Sequence, residues 1–131
     1  MTFDAGIMTM TTLLLLTQPP SSVLAWHAQK LAHSLLTMQQ PITVFFYQDA
    51  VQIANQYAWR PEDETSLAKQ WLSLGIDLPI CVSAALWRGI TDSDNAKRHQ
   101  LPHANLSQGF RMAGLGELAE AMLNADRTIK F

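Results

Sequence analysis

Short apolar runs alternate along this chain with longer segments in which apolar residues recur at helical spacing. Thr11 to Thr17 and Ile42 to Tyr47 are largely apolar, β-branched or aromatic, and their lengths are typical of strands. The segment between them carries one apolar stripe with the period of a helix: Leu24, Ala28, Leu31 and Leu35. The first third of the chain therefore predicts a strand, a helix and a second strand.

After the second strand, the pattern predicts short elements separated by polar loops. Asp49 is expected to cap a short helix that ends at Asn55, and residues 57–63 are expected to form a loop. Apolar residues on one face predict a further helix over 65–74, which Gly75 closes as a C-terminal cap.

The second half of the chain continues the alternation. Residues 77–82 predict a third strand and residues 83–88 a helix, whereas the polar stretch 91–109 predicts a long loop with room for one helical turn. An apolar stripe from Leu115 to Met122 predicts another helix, and residues 127–131 a last short strand. Strands that alternate with helices favour an α/β fold, with a mostly parallel sheet and helices on both faces.

Length and composition favour a single folded domain. The chain has 131 residues, of which 48% are hydrophobic and only 15% are charged. We expect one domain over residues 10–131 and an N-terminal extension over residues 1–9, with disorder there left open. The low share of charged residues indicates either a surface covered by partner chains or a large core.

Charge and cysteine content exclude several classes of function. The formal net charge is −2 and the basic residues are scattered, so direct nucleic-acid binding is not expected. A single cysteine excludes an internal disulfide and is compatible with a reducing compartment. No apolar stretch approaches the roughly 18–20 residues of a membrane span, and Met8 to Ala25 lacks the basic start of a secretion signal. We therefore expect a cytoplasmic protein that does not bind membranes.

Cys81 is the first candidate for chemistry, because it lies where the third strand passes into a helix. A cysteine at this place is close to free backbone N–H groups and to the positive end of the helix dipole, which both favour the thiolate. The carboxyl ends of parallel strands are also where ligands of open α/β sheets bind. The alternative from position alone is a buried cysteine that acts as a small core residue.

Other motifs carry weaker signals. His99 and His103 have the spacing of a helical metal pair, but Pro102 would disrupt that helix and no further ligand lies close in sequence. Gly114 and Gly116 precede a helix without the spacing of a phosphate-binding loop, and they are expected to give a tight entry to that helix. We predict neither a metal nor a cofactor.

Three blocks of the sequence resemble the DsrE-type sulfurtransferase family, above all its TusD-like members. The blocks are Ile80 to Gly89 around Cys81, Val44 to Tyr47 followed by Ala54 to Gln56, and Asn105 to Phe110 followed by Gly114 to Ala121 and Ala125 to Arg127. They occur in the family's order at compatible spacing from about residue 42 onward. The turn at Thr17 to Pro20 departs from the family, which has a Gly-Pro-Tyr-Gly-like sequence there.

The resemblance implies a sulfur relay. TusD-like proteins accept persulfide sulfur on the motif cysteine, here Cys81, from a TusA-like donor and pass it to a TusE-like acceptor, without a cofactor or metal. The sulfur ends in 2-thiouridine at tRNA wobble positions. Such subunits work in a heterohexamer with TusB-like and TusC-like chains.

The resemblance leaves two alternatives open. One is a DsrE-type subunit of a sulfur-oxidation relay, and the other is a non-catalytic structural subunit in which Cys81 belongs only to the core.

Three residues are predicted to line the site: Tyr47, Ser83 and Arg88. Tyr47 ends a neighbouring strand, and the other two lie downstream on the cysteine's helix.

Overall fold

The structure is a computed structural model that describes residues 10–131, and the predicted N-terminal extension lies outside the described residues. The strands are β1 Thr12–Leu16, β2 Ile42–Phe46, β3 Pro79–Cys81, β4 Arg111–Ala113 and β5 Arg127–Lys130. The helices are α1 Val23–Thr37, the 3-10 helix Gln48–Ala54, α2 Leu67–Leu72, α3 Val82–Trp87, α4 Ser93–Arg98 and α5 Leu115–Asn124.

The five strands form one parallel sheet in the order β4-β3-β2-β1-β5. Thr12 is the register partner of both Ile42 and Arg127, so β1 lies between β2 and β5, and β2 is the central strand. Successive strands add on one side of β1 as far as β4, and β5 then joins on the other side. The predicted α/β class with a parallel sheet is confirmed.

Helices cover both faces of this sheet, as the sequence pattern predicted. On one face Phe46 meets Trp71 of α2 edge-to-face, with ring centroids 5.3 Å apart, and α1 packs beside α2. The next residue toward the start of β2, Phe45, points the other way because side chains alternate along a strand. There it lines a cavity together with Ala121 of α5.

The ends of the helices are set by local hydrogen bonds that the sequence encodes. The Ser22 hydroxyl accepts from the N–H of Leu24 at the start of α1, and the Ser66 hydroxyl accepts from the N–H of Lys69 at the start of α2. Each cap satisfies a backbone donor that has no partner within its helix. The two helices therefore begin at their serines.

The short helical segment expected within the polar stretch 91–109 is α4, which has six residues and is capped by Asp92. Gly114 is the N-cap residue of α5, in agreement with the expected entry to this helix, but the edge strand β4 just before it was not predicted. One expectation is wrong: Asp49 does not cap the 3-10 helix, because Tyr47 occupies the cap position and the Asp49 carboxylate pairs with Arg88 instead.

Candidate functional site

Cys81 lies at the junction of β3 and α3. It is the last residue of β3 and the N-cap residue of α3, with an extended backbone (φ −66°, ψ 121°). Its register partner on the neighbouring strand is Ala113 of β4, which is also buried. The buried residues of α3 are Ala84 and Ala85, whose small side chains let the helix pack closely against the sheet. The predicted placement at the carboxyl edge of the sheet is confirmed.

The thiol of Cys81 is almost fully covered. The residue is 1% exposed and belongs to the continuous hydrophobic core. A thiol at this depth meets another protein's sulfur only after a neighbouring element has moved. Access of a partner to the thiol therefore depends on the elements that surround Cys81.

Tyr47 and the 3-10 helix border Cys81 on the side of β2. The register joins Phe46 to Ile80, so its extension by one residue sets Tyr47 beside Cys81. Tyr47 is half-buried, its N–H donates to the carbonyl of Leu16, and it leads directly into the 3-10 helix. That helix contacts both β3 and α3, and so lies against the junction that holds the cysteine.

Arg88 lies at the opposite end of α3 from Cys81. The six-residue helix separates the two Cα atoms by about 10 Å at the usual rise per residue. The Arg88 guanidinium donates from Nε to Asp49 Oδ1 and from Nη1 to the carbonyl of Ala84, each at 3.0 Å. The first contact joins α3 to the 3-10 helix, and the second lies within the C-terminal turn of α3 itself.

Ser83 is exposed in the first turn of α3, two residues beyond Cys81. The structure thus brings Tyr47 and Ser83 near the cysteine, while Arg88 joins α3 to the 3-10 helix. The roles of these three residues stay predictions.

Asn105 is a residue of this region that sequence reasoning assigned no role. Its side-chain oxygen accepts from the N–H of Thr91 at 2.9 Å, and its Nδ2 donates to the carbonyl of Gly89 at 3.0 Å. Both partners belong to the turn that ends α3, in which Gly89 adopts a positive φ of 76°. The only signal in the sequence was that Asn105 begins one of the three family-like blocks.

A cluster of exposed charges lies at the other edge of the sheet. Arg111, the first residue of β4, pairs with Asp77 at 2.7 Å and with Glu117 of α5 at 2.6 Å. Hydrogen bonds from Arg111 hold the pKa of the Asp77 carboxyl below its ordinary value, despite some desolvation. The same bonds raise the pKa of Arg111. This cluster joins β4 to its neighbours and lies at the opposite end of β3 from Cys81.

The histidines that could have formed a metal pair are not on one helix. His99 is the C-cap residue of α4, and His103 lies in the loop that follows. Within residues 10–131 no group of three or more histidine, cysteine or acidic side chains is arranged to hold a metal ion. Nor does any helix in this range have the length and apolar character of a membrane span.

An open groove of about 510 Å³ runs between the start of α1, the 3-10 helix and α2. It is lined by polar and aromatic side chains that include Trp26, Trp59 and Lys69, and Cys81 is not among its lining residues. A small molecule in this groove would not touch the thiol.

Comparison with known proteins identifies the family to which this chain belongs. A family described as DsrE/DsrF-like matches residues 10–131. The chain belongs to the DsrE/DsrF-like family. This confirms the resemblance drawn from the three sequence blocks, and it covers the whole of the described structure.

Curated relatives within this family carry the name of an enzyme. Sulfurtransferase TusD of Cronobacter sakazakii is 45% identical over 121 residues, which are 88% of this chain and 90% of that protein. Sulfurtransferase TusD of Serratia proteamaculans is 44% identical over 109 residues, 79% of this chain and 84% of that protein. At this level of identity over most of both lengths, the chain is a sulfurtransferase.

A solved structure supports the fold independently. The YchN protein of E. coli superposes with a TM-score of 0.72 and covers 94% of this chain and 99% of its own, at 19% sequence identity. So low an identity compares the architecture alone, and the architecture agrees with the parallel sheet described above.

Proposed function

We propose that this sulfurtransferase carries sulfur as a persulfide on Cys81. The observation that carries the proposal is the place of the only cysteine: it caps a helix at the carboxyl edge of the sheet, in a chain whose relatives are named sulfurtransferases. Backbone N–H groups of the first turn of α3 have no partners within the helix and are available to a sulfur anion. The helix has only six residues, so its dipole adds little beyond those groups.

The transfer requires no oxidant and no metal. The Cys81 thiolate attacks the outer sulfur of a donor persulfide, a new S–S bond forms at Cys81, and the donor's S–S bond breaks. The donor leaves as a thiolate, and the terminal S–H stays on the transferred sulfur. Attack by an acceptor thiolate on that sulfur reverses the roles and regenerates the Cys81 thiolate. Two exchanges thus move one sulfur atom and leave the carrier unchanged.

The proposal extends to a relay of the kind expected from the resemblance. A TusA-like protein supplies the sulfur, a TusE-like protein receives it, and 2-thiouridine at tRNA wobble positions is the final product. TusB-like and TusC-like subunits complete the complex, and the reducing cytoplasm is its compartment. The exposure of Trp87 supports a surface that partner subunits cover. This residue is 87% exposed on the cysteine's own helix, and large aromatic side chains are enriched at interfaces.

Intact-mass measurement after incubation with a persulfide donor tests the carrier role. Native protein is expected to gain one sulfur, about 32 Da, and a reductant should remove it. Cys81→Ser is the matched control, since it replaces one sulfur atom by oxygen at a buried position and should gain nothing. Wild-type protein that gains no sulfur, even with its partner subunits present, would exclude the carrier role.

The burial of Cys81 favours a second candidate, a structural subunit whose cysteine is only part of the core. Alkylation of native protein at neutral pH separates the two functions. A carrier's thiol reacts slowly but completely while the protein stays folded, because the site opens. A structural thiol reacts only as fast as the whole protein unfolds.

A further inference from the structure

An ion pair crosses between two of the elements around Cys81. Arg88 is the C-cap residue of α3, and Asp49 lies in the first turn of the 3-10 helix. Their side chains meet at 3.0 Å, with 25% of the Arg88 and 52% of the Asp49 side chain exposed. The pair thus links the helix that begins at the cysteine to the helix that lies against the same junction.

The 3-10 helix that borders Cys81 has local features that favour its opening. Its hydrogen bonds have poorer geometry than those of an α-helix, and no side chain caps its start. Gln48, its first residue, has a φ of +51°, a left-handed conformation that strains a residue with a side chain. Because Tyr47 precedes Gln48 directly, a shift of this turn also moves the residue beside the cysteine.

We infer that Asp49 is a positioning residue, which acts through Arg88 to hold the first turn of the 3-10 helix against α3, next to the junction that contains Cys81. Breaking the pair frees this turn to move away from α3, and the thiol then becomes accessible to a donor or an acceptor. The inference rests on the proposed carrier role only for the reason why the thiol needs to become accessible. Access to Cys81 is measurable whether or not the thiol carries sulfur.

Native-state alkylation of Cys81 with iodoacetamide, followed by intact mass, measures this access. The reagent is neutral, so its encounter with the thiol does not depend on the protein's charge. Asp49→Asn should raise the alkylation rate about two- to five-fold, the range that a partly exposed ion pair contributes to a local equilibrium. Asp77→Asn is the matched control, since it removes an exposed carboxylate paired with arginine at the far edge of the sheet, and it should leave the rate unchanged.

Two further measurements separate positioning from general stability. The alkylation rate of the denatured protein at each salt concentration corrects for the effect of salt on the reaction itself. After this correction, high salt should raise the alkylation rate of folded wild-type protein and should change that of Asp49→Asn little. The double variant Asp49→Arg with Arg88→Asp restores a pair of opposite charges and should bring the rate back toward that of the wild type. This rescue and the salt response would not be produced by a loss of global stability.

The inference is overturned if Asp49→Asn alkylates at the wild-type rate, or if Asp77→Asn accelerates alkylation equally. It is also overturned if wild-type protein shows no response to salt, a measurement that needs no variant to fold. Sulfur loading distinguishes this failure from that of the proposed function. If wild-type protein takes up sulfur while Asp49→Asn leaves the alkylation rate unchanged, the carrier role stands and the positioning role of Asp49 falls. If Asp49→Asn is alkylated faster but wild-type protein takes up no sulfur, the positioning role stands and the carrier role falls.

Discussion

Arg111 donates from Nε and Nη2 to both carboxylate oxygens of Asp77, each at 2.7 Å. The pair joins the edge strand β4 to the residue that leads into β3, and Glu117 adds a second carboxylate to the same guanidinium. Edge strands have hydrogen-bond partners on one side only, so side-chain contacts matter more to them than to central strands. β4 also carries Ala113, the register partner of Cys81. This pair therefore anchors β4 at the end of β3 that lies away from Cys81.

Stability should fall at acid pH in part because Asp77 becomes protonated. Its folded pKa lies below the ordinary 3.8, so its contribution is fully present above pH 3.8 and is lost as pH falls through the lowered value. The side chain is exposed, and the contribution is therefore at most about 1 kcal/mol. Urea denaturation at pH 7 and near pH 3 should show a smaller loss for Asp77→Asn than for wild type. Equal losses in the two proteins would contradict this.

Removal of the Asn105 side chain should destabilise the turn after α3. Asn105→Ala leaves the N–H of Thr91 and the carbonyl of Gly89 without their partners, at a cost of about 1–3 kcal/mol. Gln108→Ala, at an exposed position in the same segment, is the matched control and should change stability by less than about 0.5 kcal/mol. Urea denaturation measures both. Similar midpoints for the two variants would show that the Asn105 side chain does not hold this turn.

Phe46 should contribute more to stability than its equally buried neighbour Phe45. Its ring meets Trp71 at 5.3 Å and Phe110 at 5.7 Å, both edge-to-face, which joins β2 to α2 and to the residue that precedes β4. Phe46→Leu loses both aromatic pairs, worth together about 1–3 kcal/mol beyond the buried area. Phe45→Leu loses a similar area and, among residues 10–131, no such pair. The free energies of unfolding of the two variants, measured by thermal unfolding, should differ by this amount. Equal losses of stability would mean that buried area alone explains the contribution of each ring.

The sequence predicted best the elements that carry a strong hydrophobic period. β1, β2 and α1 are continuous, buried on one or both faces and five or more residues long, and their predicted positions agree with the structure. β4 has three residues and begins with the exposed Arg111, so it shows no apolar run. In α4 only Ala96 is buried, and no stripe could appear. The Asp92 cap was the one readable sign of that helix.

The site was predictable only as far as Cys81. Its strand-to-helix junction follows from local pattern, and the family-like blocks added its chemistry. Asp49 and Arg88 are 39 positions apart, and their pairing depends on how the 3-10 helix packs against α3. No local period encodes such a contact. The same holds for Asn105, whose partner Thr91 lies 14 positions away on the other side of α4.

A glycine at position 39 should stabilise the protein. Gln39 follows the C-cap of α1 and has a φ of +60°, while its N–H donates to Leu36 and that of Gln40 donates to Leu35. This is the hydrogen-bond pattern in which glycine is preferred, because it adopts a positive φ without steric cost. Gln39→Gly should raise the free energy of unfolding by about 0.5–1 kcal/mol, the strain relieved less the added chain entropy.

Gln39→Ala is the matched control for this variant, since it also removes the side chain but keeps the Cβ that causes the strain. It should bring no gain in the free energy of unfolding. Urea midpoints of the two variants and the wild type decide the outcome, and alkylation of Cys81 should be the same in all three because position 39 lies at the end of the sheet away from the cysteine. A gain in both variants would mean that the Gln39 side chain, and not its backbone conformation, destabilises the end of α1.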